Sequence, residues 1–137
     1  MKKVTGIGGI FFKCESPDET KAWYSENLGL ETDAWGTNFE WRQAGDPGKK
    51  GFTQWSPASE NSRHFHPSQK DYMINYRVAD LVALEAELRK AGVEILDEME
   101  TFPYGKFLHI MDPNGVKIEL WEPNDEAYDE IVEGRTC

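Results

Sequence analysis

The chain has 137 residues with 25 acidic against 15 basic side chains, a formal charge of -10, and its pI is near 4.7. That length suits one domain with a core of its own, and the acidity excludes nucleic acid and anionic membranes as partners, because binding phosphate needs a cationic footprint. No run approaches transmembrane length, and Lys2-Lys3 with its short glycine-rich sequel, stopped by Lys13, makes a poor signal peptide; a soluble cytoplasmic protein is expected.

In chain order the first predicted strand covers roughly Gly6 to Cys14, where Ile10, Phe12 and Cys14 alternate with Phe11 and Lys13. Cys14 and Cys137 make neither a disulfide framework nor a zinc site, and Cys14 reads as a small buried hydrophobe. Ser16-Pro17-Asp18-Glu19 starts a helix, with Ser at the cap, Pro at the first position and Glu three residues on; Gly29 ends it. Short strands follow near Glu31–Asp33, Asn38–Gln43 and Gly51–Trp55, the last after an Asp46-Pro47-Gly48 turn.

Residues 58–70 are polar and irregular and read as a connection. A second unit opens with the strand Tyr72 to Val78, and Asp80 caps a helix carrying Leu81, Leu84, Leu88 and Ala91 on one face, ended by Gly92. Strands near Glu94–Thr101, Lys106–Met111 and Val116–Trp121 complete it. The two units echo each other: Ile10 recurs as Ile74, Gly29 as Gly92, and each half closes on Trp-x-Pro, at Trp55 and Trp121. The pattern predicts an α+β fold of two tandem βαβββ units, about 4–57 and 71–123, whose sheets form a shared cup within one domain, 1–123. The remainder, 124–137, is acidic and reads as a solvated tail, or alternatively as a lid or dimer arm anchored by Tyr128, Ile131 and Val132.

Trp23-Tyr24 and Leu28-Gly29-Leu30 at the end of the first helix, Gly105-Lys106-Phe107, Met111-Asp112-Pro113-Asn114-Gly115 and Ile118-Glu119-Leu120-Trp121-Glu122-Pro123 resemble the vicinal oxygen chelate superfamily of glyoxalase I, bleomycin-resistance proteins and extradiol dioxygenases. The resemblance implies the cup-shaped mixed sheet and a homodimer. It leaves function open, because folds of this kind host unrelated chemistries. In metal-dependent members four ligands line the cup, two from each unit. Carried over through the repeat, those positions hold Gly9, Thr53, Met73 and Glu119. Three of the four are not ligands for the usual ions, so the family metal is expected to be absent and no cofactor is predicted. His64-Phe65-His66 would put two imidazoles on one face of a strand, but its neighbours Ser62, Arg63, Pro67 and Ser68 offer no partner ligands, so it reads as a pair of surface-loop histidines and a divalent metal is disfavoured.

Asp112-Pro113-Asn114-Gly115 fits a type I turn followed by a left-handed glycine. That turn pairs His109 with Glu119 on the cup face and sends Leu108, Ile110, Ile118 and Leu120 toward the helix. Cross-strand neighbours lie about 4.5–5.5 Å apart at Cβ, so imidazole and carboxylate meet, either as an acid–base pair or as a plain ion pair. Alternation adds Gly9, Phe11, Lys13, Thr53, Trp55, Met73, Asn75, Arg77, Phe107 and Trp121 to the cup, with Tyr104 at its mouth; for Asn38 to Arg42 both registers stay open. A cup with several aromatics and a few polar groups suits a small, partly apolar ligand.

Three functions follow from the residues and the resemblance. The first is a metal-independent small-molecule binding protein. The second is a metal-dependent glyoxalase-type lyase, isomerase or dioxygenase, with Glu119 as ligand or base. The third is a metal-free enzyme using Glu119 and His109.

Overall fold

The structure is a computed structural model and describes residues 3–136, so Lys2 and Cys137 lie outside the described residues. Strand β1 (Val4–Cys14) leads into helix α1 (Pro17–Leu28), then β2 (Thr37–Gln43) and β3 (Asp46–Ser59). A single 3-10 turn (Arg63–Phe65) interrupts the connection before β4 (Tyr72–Val78), α2 (Leu81–Lys90), β5 (Glu100–Phe102), β6 (Gly105–Met111), β7 (Lys117–Pro123) and α3 (Asp125–Val132). The caps fall where the sequence puts them: Ser16 Oγ accepts from the Glu19 amide, Asp80 from the Ala83 amide, and Gly29 and Gly92 close the helices with left-handed φ of 72° and 76°. Among the described residues no helix is long and apolar enough to cross a membrane.

The seven strands form one mixed sheet in the order β2-β3-β1-β4-β7-β6-β5. Its two halves meet where β1 runs antiparallel to β4, with Ile10 opposite Ile74 on the pseudo-twofold axis. Each half pairs its opening strand in parallel with its closing strand, β1 with β3 and β4 with β7. The α+β fold and the two-unit cup are therefore as expected, with two strands and one turn altered: the hairpin reverses at residues 44–45, so Asp46-Pro47-Gly48 opens β3 instead of preceding it. Glu31–Asp33 is not a strand but irregular chain leading into a tight turn from Asp33 to Gly36, where the Asp33 carboxylate accepts from the Trp35 amide at 2.9 Å and its backbone amide donates to Gly36 O. The strand read at Glu94–Thr101 is reduced to Glu100–Phe102 plus an isolated bridge from Ile95 to Ile110.

Under α2 the second half packs Val78, Leu81, Leu84, Leu108, Ile110 and Leu120 into one apolar cluster. Leu108, Ile110 and Leu120 thus face the helix, and His109 and Glu119 face the other way. The acidic run after Glu122 is not a solvated tail. Asn124 caps α3 by accepting from the Ala127 amide, and Tyr128 and Val132 bury themselves against Phe52 and Trp121, while Ile131 stays exposed. Tyr128 Oη donates to Asn38 Oδ1 at 2.8 Å, and Arg135 Nε donates to Asp33 at 2.6 Å.

Candidate functional site

The turn before β7 sets the register. Asp112 Oδ1 accepts from the Asn114 and Val116 amides, Gly115 takes a φ of 78°, and His109 stands opposite Glu119 as the turn chemistry predicts. Glu119 also lies beside Asn75 across the parallel β4–β7 pair. The side chains then join. His109 Nε2 is 2.7 Å from Glu119 Oε2, Asn75 Nδ2 donates to Glu119 Oε1 at 2.7 Å, and His109 Nδ1 is 2.5 Å from Asp97 Oδ2. Glu119 is 7% exposed and Asn75 3%.

Asp97 was hidden by the regular strand expected around it. Leu96 donates to His109 O and Met111 to Glu94 O, but between these bonds the His109 amide donates to the Asp97 carboxylate at 2.9 Å. One carboxylate thus replaces a backbone acceptor and anchors the imidazole, fixing the orientation of His109 twice over.

His64 completes the cluster and corrects the surface-loop reading of it. The 3-10 turn folds the connection over this half of the cup. Phe65 is buried beneath it, Lys117 Nζ donates to the carbonyls of His64 and His66 at 2.8 and 3.1 Å, and His64 Nε2 comes to 3.9 Å from Glu119 Oε2. The nearest donor atoms of His64, His109 and Glu119 all lie within 4.8 Å of one another, whereas His66 stays outside the group. A signal existed in the sequence: a lone Phe in a polar connection, and a cup-face Lys117 in need of acceptors.

The charges are mutually dependent. Burial pushes the Glu119 carboxyl up, but hydrogen bonds from His109 and Asn75 and the imidazole charges outweigh it and hold it below the usual carboxylate range. Burial would depress His109, yet Glu119 and then Asp97 raise it above an ordinary imidazole. Burial lowers Lys117, with Asp97 and Glu119 pulling the other way.

The four positions carried over from metal-dependent relatives do not make a metal site. Gly9 offers no side chain, Met73 is fully buried, and the Thr53 hydroxyl is engaged, accepting from Trp41 Nε1 at 2.9 Å and donating to Ile7 O at 2.5 Å. The register also moves the first-unit counterpart of Glu119. Phe11 pairs with Ser56 as Asn75 pairs with Glu119, so the related position is Ser56 rather than Thr53, and Ser56 Oγ is bonded to Trp35 O.

Other expected cup residues separate into groups. Phe11 approaches His64, with ring centroids 6.2 Å apart, and Met73 and Asn75 flank the same strand region. Trp55 turns instead to the helix side, 4.7 Å from Tyr24 and 5.4 Å from Phe12 between ring centroids. The likeness of the two Trp-x-Pro endings misled the alternation there. Arg77, Phe107 and Trp121 sit under α3: Phe107 stacks on Trp121, and Arg77 lies between the Trp41 and Trp121 rings and pairs with Asp125. Tyr104 O accepts from Trp121 Nε1, and Tyr104 borders a cleft of about 300 Å³ beside Trp35, Asn38 and Tyr128.

The family model described as Glyoxalase/Bleomycin resistance protein/Dioxygenase superfamily matches residues 6–120. The chain belongs to this superfamily. Solved structures agree on the fold. A methylmalonyl-CoA epimerase from Mycobacterium tuberculosis is 24% identical, with a TM-score of 0.61 over 91% of this chain and 92% of that one. A variant of the Streptomyces coelicolor methylmalonyl-CoA epimerase in complex with 2-nitronate-propionyl-CoA is 19% identical, with a TM-score of 0.64 over 88% and 99%. A Legionella pneumophila protein described as an NAD-dependent benzaldehyde dehydrogenase reaches 0.54 at 9% identity, covering 85% and 98%. A search of curated protein sequences gave no match. At these identities the likeness to solved structures concerns the glyoxalase/bleomycin-resistance fold alone.

Proposed function

We propose that this superfamily member binds a small polar molecule in the second half of the cup, against Glu119, His109 and Asn75, without the four-ligand metal of metal-dependent relatives. The observation that carries the reading is the buried, hydrogen-bonded trio His109–Glu119–Asn75, anchored from its half-buried edge by Asp97. Replacing a buried ion pair by well-packed apolar residues is often neutral or stabilising by about 1–4 kcal/mol. Stability therefore gives little reason to hold these groups in a small domain, and a ligand site does. Phe11 and Met73 supply apolar wall in this reading, and a cytoplasmic homodimer is its setting, the pairing being checked by analytical ultracentrifugation.

Thermal-shift screening against metabolites and antibiotics tests it. A ligand at a hundred times its Kd stabilises the fold by about 2.7 kcal/mol, and the shift is expected to vanish in Glu119→Gln. A ligand that binds wild type and Glu119→Gln equally overturns the assignment.

A second reading, a metal-free acid–base enzyme, is favoured by the 2.7 Å contact of His109 with Glu119 and the Asp97 anchor behind it. The neighbours described as methylmalonyl-CoA epimerases suggest a probe, solvent deuterium exchange into methylmalonyl-CoA. Exchange that disappears in Glu119→Gln supports catalysis; ligand binding without exchange favours the first reading. Methylglyoxal–glutathione turnover stimulated by nickel or zinc would favour the glyoxalase alternative over both.

A further inference from the structure

We infer that the chain holds one divalent first-row transition-metal ion between His64, His109 and Glu119. The site shares only Glu119 with the four positions considered above, and it draws its other ligands from a β6 strand position and from the connection between the two units.

Three observations converge on it. The donor atoms are close: His109 Nε2 and Glu119 Oε2 are 2.7 Å apart, and His64 Nε2 lies 3.9 Å from the same oxygen. With metal–ligand bonds of about 2.0–2.2 Å, adjacent ligand atoms of a tetrahedral ion stand roughly 3.3 Å apart; all three donor atoms lie within 4.8 Å of one another, so shifts of at most about 1.5 Å, taken up by the exposed His64 side chain, complete the site. Each inner ligand is also held by its far atom. Asp97 takes His109 Nδ1 and leaves Nε2 for the ion, and Asn75 takes Glu119 Oε1 and leaves Oε2. A carboxylate behind a ligating histidine is the usual supporting arrangement at metal sites.

His64, finally, is delivered by a built element rather than a loose loop. Buried Phe65, the Ser62 side chain accepting from the His64 amide at 3.3 Å, and Lys117 on two carbonyls all fix the turn. Its side chain is 53% exposed, which gives the imidazole freedom to adjust and leaves an open side for water or a small molecule. Two imidazoles and one carboxylate select zinc, iron(II), cobalt, nickel or manganese over calcium or magnesium, which prefer all-oxygen shells. On binding, the ion replaces the proton between His109 Nε2 and Glu119 Oε2, and that proton goes to solvent.

The test uses untagged, chelator-stripped full-length protein titrated with cobalt(II), followed by its visible d–d absorption, and with zinc by calorimetry. One ion per chain is expected. His64→Ala should weaken binding at least about tenfold and alter the cobalt bands, Asp97→Asn should weaken it about 10–100-fold, and His66→Ala should leave it unchanged. No stoichiometric uptake overturns the site, as does uptake indifferent to His64→Ala or equally impaired by His66→Ala. The outcome is separable from the small-molecule reading. Stripped protein that binds a small molecule but no ion refutes the metal site alone, and ion uptake without a small-molecule hit leaves it standing.

Discussion

Pairing Glu119→Met with His109→Leu tests whether the polar chain is a single buried unit. Glu119→Met removes the acceptor of both His109 Nε2 and Asn75 Nδ2. Each buried donor left unmet costs about 1–3 kcal/mol, so the single change should cost about 2–6 kcal/mol. His109→Leu leaves Glu119 at 7% exposure with Asn75 as its close donor, and removing one partner of such a buried pair costs about 3–5 kcal/mol. The double variant removes both charges and leaves chiefly the Asn75 amide unmet, a cost of about 1–3 kcal/mol. Asp97 tolerates the loss, because its side chain is 34% exposed and still accepts from the residue-109 amide. The double variant should therefore be more stable than either single one, with strong non-additivity. Urea unfolding followed by tryptophan fluorescence and circular dichroism reads this directly. Two small single effects, each below about 1 kcal/mol and summing in the double variant, would refute the buried-unit reasoning.

Other expectations concern the elements that enclose the cup. Tyr128→Phe should cost about 1–3 kcal/mol at neutral pH by leaving buried Asn38 without its donor. Burial pushes the Tyr128 phenol up to about 12, so the folded chain keeps a proton that the unfolded chain loses from about pH 10. That stabilising difference is complete below pH 10 and is lost as pH rises toward 12, at up to about 1.4 kcal/mol per pH unit. The wild-type advantage over Tyr128→Phe should shrink across this window, and a constant gap would exclude the burial argument. At Gly8 an added Cβ would run into Asn75 Oδ1 and meet Trp121 at 2.9 Å. Gly8→Ala should therefore destabilise by about 1–3 kcal/mol and weaken ligand binding by displacing Asn75 from Glu119; unchanged binding would separate Asn75 from the site. Phe65→Ala should cost about 3 kcal/mol or more and impair metal uptake as His64→Ala does, whereas loss of stability with intact uptake would mean that His64 needs no anchor.

What the sequence reveals follows the reach of local rules. The turn at Asp112–Gly115 fixes a hairpin by its own dihedral preferences, so the facing of His109 and Glu119 is legible three ladder positions beyond the closing Asp112–Val116 pair. Helix caps at Ser16 and Asp80 were legible for the same reason. Asp97 escaped because a side chain in place of a backbone acceptor leaves the alternation of its neighbours unchanged. Trp55 departs from the expected cup face because its likeness to Trp121 does not fix ladder register, which places Trp55 beside Ile10 as Ile118 lies beside Ile74. His64 depends on a contact 55 residues distant in sequence, to Glu119, and no periodicity in the connection reports it. Tyr128 and Val132, four apart and on one helical face, were a usable signal for α3.

The repeat explains why the two ends of the cup differ. The repeat supplies two like halves of one sheet, and the axis through Ile10 and Ile74 makes their frames equivalent. The segments that fill the cup lie outside the repeated strands. The connection brings His64 over Glu119, while α3 brings Tyr128 and Asp125 over Trp121 and Arg77. Ser56, at the first-unit position related to Glu119, is bonded to the Trp35 carbonyl and has no imidazole opposite it like His109. Symmetric strands thus carry asymmetric chemistry because each half recruits a different non-repeated segment. Comparing the halves by sequence relates their opening strands, sets Thr53 where the register has Ser56, and cannot reveal ligands that arrive from between them.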